Sequence, residues 1–131
     1  MSEIDQKIDS FLKKTLVAVL GTIDKDGNPH MAPIWFHWEN GTAYMFTGRN
    51  TAKWRNIEVH PYASLCVDWR EPPYAAGIMS GSVSEASRPV YDLVLSMALR
   101  YYGAEKGRAF AERYRANPPG TVAFGLTPSR F

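Results

Sequence analysis

Cysteine is almost missing from this chain. Cys66 is the single one among 131 residues. No intrachain disulfide can form, and a reducing cytoplasm suits the sequence better than secretion. Cys66 lies in the apolar run Ala63–Val67 and reads as a small buried hydrophobe. No apolar run nears the roughly 20 residues that cross a bilayer. The opening Met-Ser-Glu-Ile-Asp-Gln is polar and of mixed charge, unlike a signal peptide. Charge of one sign is lacking too. The net is +2, with no basic run of five, so neither nucleic acid nor an anionic membrane is indicated as a partner.

Catalytic signatures are equally sparse. The three histidines, His30, His37 and His60, form no His-x-x-x-His and have no cysteine pair beside them, so no metal is expected. His30 and His37 are an odd number of residues apart and would face opposite sides of a strand. There is no Gly-x-Ser-x-Gly, no dinucleotide fingerprint and no Walker loop. Asp24 and Asp26 belong to a turn. Internal repeats and low-complexity segments are absent.

Aromatic residues are plentiful. They make up 13% of the chain and include four tryptophans, which need a core, an interface or a ligand site. The length allows one domain, 1–131. Apolar residues at Ile4, Ile8, Phe11 and Leu12 predict a helix over Ser2–Lys14, with Ser2 as N-cap. Strands are expected at Thr15–Ile23, Pro29–Glu39, Thr42–Thr47, Tyr62–Trp69, Tyr74–Glu85 and Thr121–Leu126. Asp24–Gly27 and Asn40-Gly41 mark tight hairpin turns. Gly77 and Gly81 suggest a bend or bulge. Helices are expected at Thr51–Val59, from Ser87-Arg88-Pro89 to Tyr102, and over Ala104–Ala116. Hairpins dominate and βαβ alternation is missing. Closing the sheet hides its edges. The predicted fold is α+β, a six-stranded antiparallel split barrel of Greek-key type with flanking helices.

The most pointed local feature is Phe46–Asn56. A strand ends there and a helix begins, with Arg49, Lys53 and Arg55 set among Thr47, Thr51 and Asn56. Unpaired helix amides, hydroxyls and three cations make a seat for an anion such as phosphate. With no acid–base set elsewhere, the chemistry would come from a bound cofactor that the polypeptide holds and orients.

The order of segments resembles the pyridoxamine 5′-phosphate oxidase-like split-barrel flavoproteins, from about residue 8 onward. The pieces are Thr15–Ile23 with Asp-Lys-Asp-Gly-Asn-Pro, Met31-Ala32-Pro33-Ile34-Trp35-Phe36, Met45-Phe46-Thr47, Thr51–Ile57, His60–Leu65 and Gly77–Val83. The resemblance implies a homodimer with its cofactor at the subunit interface, and a small-molecule substrate. It implies that Thr47, Thr51 and Lys53 surround the phosphate, with Phe46, Arg49 and Arg55 nearby. Met31, Ala32, Pro33, Ile34 and Trp35 would lie along the ring. Where the vitamin-oxidase branch has Ser-Arg-Lys, this chain has Thr51-Ala52-Lys53. That branch also has an arginine near the position of Met31. The Lys53-x-Arg55-Asn56 pattern is closer to the deazaflavin (coenzyme F-420) subgroup, and FMN stays open. The implied activity is hydride transfer between the cofactor and a small conjugated substrate, with Tyr74, Tyr91 or solvent as proton source. The alternative is a non-catalytic flavin- or haem-binding protein, with His37 or His60 on the iron.

Overall fold

The structure, a computed structural model, describes residues 6–14, 17–69, 71–116 and 118–131. Helix α1 (Gln6–Leu12) leads into strands β1 (Ala18–Ile23), β2 (Pro29–Ile34), β3 (His37–Glu39) and β4 (Thr42–Gly48). Helix α2 (Ala52–Val59), β5 (Tyr62–Trp69) and β6 (Ala75–Glu85) follow. The chain then forms α3 (Val90–Tyr102), α4 (Ala104–Ala111), a 3₁₀ turn Glu112–Tyr114 and β7 (Thr121–Arg130). The expected N-cap Ser2 lies outside the described residues.

All ladders are antiparallel, in the order β2-β1-β5-β6-β7-β4-β3. The fold is α+β, a curled half-barrel. Among the described residues it has seven strands, not the six expected, because Pro29–Glu39 is two strands. β2 pairs with β1, whereas β3 pairs with β4. Between them the chain turns a corner at Trp35-Phe36, yet inward and outward residues keep alternating. Ile34, Phe36 and Trp38 are buried, and Trp35 and His37 are only partly so. Apolar alternation therefore hides the break. His30 and His37 do face opposite sides: His30 pairs with buried Thr22, and His37 with Tyr44.

Helix α3 satisfies the corner. Phe36 N–H donates to the Tyr101 hydroxyl (3.4 Å), and the Phe36 carbonyl accepts from Arg100 Nη1 (3.0 Å). Arg100 Nη2 also reaches the carbonyls of Lys14 (2.6 Å) and Lys13 (3.3 Å). These lie just past α1, where a cation complements the helix dipole. One guanidinium thus ties α1, the corner and α3 together. Arg100→Met, which keeps the apolar stem, is expected to lower unfolding free energy by about 1.5–3 kcal/mol, since the bonds are charge-assisted. A urea midpoint unchanged from wild type would show that water replaces them.

Both turns form as expected. Asp24 Oδ1 accepts from the amides of Asp26 and Asn28, each at 2.9 Å. Asn40 and Gly41 both have positive φ, 51° and 77°. The bulge lies at Ser80/Gly81, where the register with β7 slips. Gly77 stays in register with Val67 and marks no bulge.

The core inside the sheet is built from Leu20, Phe36, Met45, Leu65, Met79, Phe124 and Leu126, with Trp54 and Ile57 entering from α2. A second cluster covers the outer face. There Leu93 and Met97 of α3 meet Ala123, with Trp35, Tyr44, Phe46 and Tyr101 around them. A Cβ on Gly107 would sit 2.7 Å from the Ala98 carbonyl oxygen, so glycine lets α4 lie close along α3.

Candidate functional site

The site begins where β4 runs into α2. Thr47 is the last inward residue of β4 and is 8% exposed. Thr51 is the N-cap of α2, with extended backbone at φ −81°, ψ 156°. Its hydroxyl donates to the Gly48 carbonyl (2.8 Å) and accepts from Trp54 N (3.4 Å). The two threonine hydroxyl oxygens stand 3.2 Å apart. With the Thr51 proton committed to Gly48, the Thr47 hydroxyl is the donor between them. An incoming anion would have to draw that proton outward.

Lys53 follows in the first turn of α2, which carries no acidic residue. The first helix amides have no acceptor one turn back, so they add partial positive charge here. Lys53 is half-buried and Arg55 exposed, and neither side chain has a hydrogen bond or ion pair among the described residues. One turn beyond Lys53, buried Asn56 donates from Nδ2 to Thr22 Oγ1 (3.0 Å). Residues three apart share a helix face, so Lys53 and Asn56 lie on one side of α2. His30 is in register with Thr22, and its Nδ1 is buried without a hydrogen-bond partner among the described residues.

Arg49 is used differently. Its amide bonds the Gly120 carbonyl (2.8 Å), and its guanidinium grips Glu85 through Nη2–Oε2 (2.8 Å) and Nη1–Oε1 (3.4 Å). Hydrogen bonding to Glu85 and then its charge hold Arg49 even more firmly protonated than usual.

The five residues Met31–Trp35 divide between two faces. Met31, 69% exposed, and Pro33 look outward from β2; Ala32 is half-buried and Ile34 is buried. Trp35 packs under the helix pair. It stacks on Tyr101 (centroids 4.7 Å, 9°) and meets Tyr102, Phe110 and Phe46 edge-on or tilted. Phe46 joins the same group through Tyr114 (5.5 Å). The structure thus brings the Thr47 and Thr51 hydroxyls together at the start of α2, whose first turn carries Lys53, ties Arg49 to Glu85, and places Trp35 and Phe46 in an aromatic cluster on the outer face.

The Tyr101–Phe110–Tyr114 share of that cluster had no periodic signal, because it is split between two helices and a 3₁₀ turn. Met97 is core, Tyr101 packs partly buried against it, and Arg88, just before α3, bonds Glu39 (2.9 Å) over the Tyr44 ring. Tyr91 is held by Arg115 (2.9 Å), and Tyr74 borders a hollow with Asp68, Trp69, Ala75 and Ala76. Neither tyrosine has a hydrogen bond or ring contact with Thr47, Thr51 or Lys53 among the described residues. Among the described residues no three His, Cys, Asp or Glu side chains gather as a metal set would, and no helix is long and apolar enough to cross a membrane.

The family profile described as pyridoxamine 5′-phosphate oxidase matches residues 4–131. No curated protein matches the chain. Among solved structures it is similar to the conserved hypothetical protein Rv2991 from Mycobacterium tuberculosis. That likeness has 20% identity and a TM-score of 0.81, over 99% of this chain and 82% of that one. It is also similar to an F420 reductase (22% identity, TM-score 0.73, 92% of each chain). HutZ, the haem storage protein from Vibrio cholerae, is a third (17%, 0.72, 98% of this chain and 92% of that one). At such identities the likeness is one of fold, and the neighbours differ in what they do. The profile spans nearly the whole chain, and the chain belongs to the pyridoxamine 5′-phosphate oxidase family.

Proposed function

We propose that residues 1–131 form one flavin- or deazaflavin-binding domain of a cytoplasmic oxidoreductase acting on a small conjugated substrate. The observation that carries this reading is Lys53, without an acid partner, in the first turn of α2 beside the Thr47–Thr51 pair. Family membership and the F420 reductase among the structural neighbours support it.

The residues present suit such a group. Lys53 and the first α2 amides would hold its phosphate, with the Thr47 hydroxyl turned to donate to it. His30 Nδ1 is a buried atom without a hydrogen-bond partner among the described residues. Strand β2 ends the sheet, so one edge of its backbone is free to read the edge of a ring. When bound, the cofactor supplies hydride transfer; the chain binds, orients and excludes water. The Lys53-x-Arg55-Asn56 pattern and the F420 reductase among the structural neighbours favour a deazaflavin over FMN.

A homodimer fits the same reading. Val17, Ile23, Met31, Tyr62 and Ile78, between 39% and 69% exposed, lie on or beside the outer face of β2-β1-β5-β6. That is a large apolar surface for a lone chain. A second copy would cover it and bring its own residues beside β2. The haem-binding alternative has weaker footing. His37 Nε2 lies 2.9 Å from Glu39 Oε1 and its Nδ1 is buried, which leaves only exposed His60 as a ligand.

Thermal unfolding with FMN and, separately, the deazaflavin tests the assignment. Either ligand at about 100 times its Kd adds about 2.7 kcal/mol if it binds only the native state. Lys53→Ala should weaken that ligand by about 1.5–3 kcal/mol. No stabilisation by either, or an unchanged Kd in the Lys53 variant, would overturn the reading.

A further inference from the structure

The three cations between Arg49 and Arg55 are not equivalent. Lys53 and Arg55 have no acid partner among the described residues, whereas Arg49 holds Glu85 with two hydrogen bonds. Both backbones are pinned by the sheet. Arg49 N–H bonds the Gly120 carbonyl, Glu85 is paired with Phe124, and the next residue, Ala86, bonds the Ala123 carbonyl. The side chains are not pinned: they are 43% and 53% exposed. An exposed pair of this kind contributes little to folding, so exchanging its partner costs little. The arginine fork fits a phosphate as well as a carboxylate, in the same two-point geometry. Helix α2 adds a second carboxylate, Glu58, whose field also acts on Arg49.

We propose that Glu85 is an internal competitor for the ligand's phosphate. Its carboxylate occupies the Arg49 fork in the free protein. A phosphate monoester seated at Lys53 must draw Arg49 away from Glu85 or bind without it. The site then presents Lys53 and the start of α2 to a dianionic phosphate, with Arg49 held in reserve. Glu85 thereby sets both affinity and the preference for phosphorylated over unphosphorylated ligands. This rests on the Lys53 seat proposed above.

The test titrates the whole protein with FMN and with riboflavin, which shares the ring but lacks the phosphate. Glu85→Gln keeps size and hydrogen bonding while removing the charge. It is expected to tighten FMN roughly three- to tenfold at low ionic strength, with the gain fading as salt screens it. Riboflavin affinity should stay at its wild-type value. Adding Arg49→Ala to Glu85→Gln should erase the gain, while Arg49→Ala alone, which leaves the Glu85 carboxylate uncompensated, should weaken FMN. An unchanged FMN affinity in Glu85→Gln, or equal tightening of both ligands, overturns the proposal. Lys53→Ala tells the two levels apart. If it weakens FMN and Glu85→Gln does not tighten it, only the role of Glu85 falls. If Lys53→Ala also leaves FMN unchanged, or FMN does not bind, the seat itself falls and the competitor with it.

Discussion

Replacing Gly81 by alanine is expected to destabilise the protein by about 3 kcal/mol or more, at the upper end of what overpacking costs. An added Cβ would lie 2.0 Å from the Thr127 carbonyl oxygen, 2.7 Å from its carbon and 2.8 Å from Pro128 Cα. All three are backbone atoms, so no side chain can swing aside. Relief requires β6 and β7 to part at the bulge, where the register slips between Ser80 and Gly81. Gly77→Ala is the internal control. Its Cβ would meet the Phe11 ring at 3.7 Å, ordinary contact distance. Urea unfolding of the two variants should show a large loss for Gly81 and a change within about 1 kcal/mol for Gly77. Equal midpoints would mean the bulge relaxes freely and the close approach carries no stability.

Trp35→Ala is expected to cost about 3 kcal/mol, in the range for deleting a large aromatic from packed surroundings. The ring stacks on Tyr101 and touches Tyr102, Phe110 and Phe46, so its removal takes away the sheet's main aromatic contact with the helix pair. Trp35→Phe keeps a flat ring against Tyr101 and should recover most of the loss. Near-ultraviolet circular dichroism would report the cluster and urea unfolding the stability. If Trp35→Ala unfolds with the wild-type midpoint, α3 and α4 are held by Leu93, Met97 and the Gly107 contact instead. A drop in flavin affinity in Trp35→Phe, with stability retained, would separate a ring-binding role from a packing role.

Much of this architecture was legible in the chain. Tyr62–Trp69 is β5 with the bounds expected from its residues, and Asn40-Gly41 makes the positive-φ turn that few other residue pairs accept. Thr51 caps α2 because a hydroxyl at that position meets the free amide of Trp54. These features are local, and local chemistry is written in neighbouring residues. The corner at Trp35-Phe36 was not legible. Apolar alternation runs through it unbroken, and the groups that make it possible, Arg100 and the Tyr101 hydroxyl, come from more than 60 residues away.

The candidate site divides along the same line. Sequence alone determined the family likeness, the turn chemistry and the meeting of Thr47, Thr51 and Lys53, because a strand end and the first helical turn after it are bound to be close. Tertiary structure decided which cation is free. Nothing near Arg49 in the chain foretells Glu85, which arrives on a strand two ladders away, across β7. It also decided that Trp35 and Phe46 pack against the helix pair and the 3₁₀ turn, since only the folded sheet puts those elements against that face. Ion pairs and aromatic stacks between distant segments depend on Cartesian distance, which periodicity along the chain does not encode.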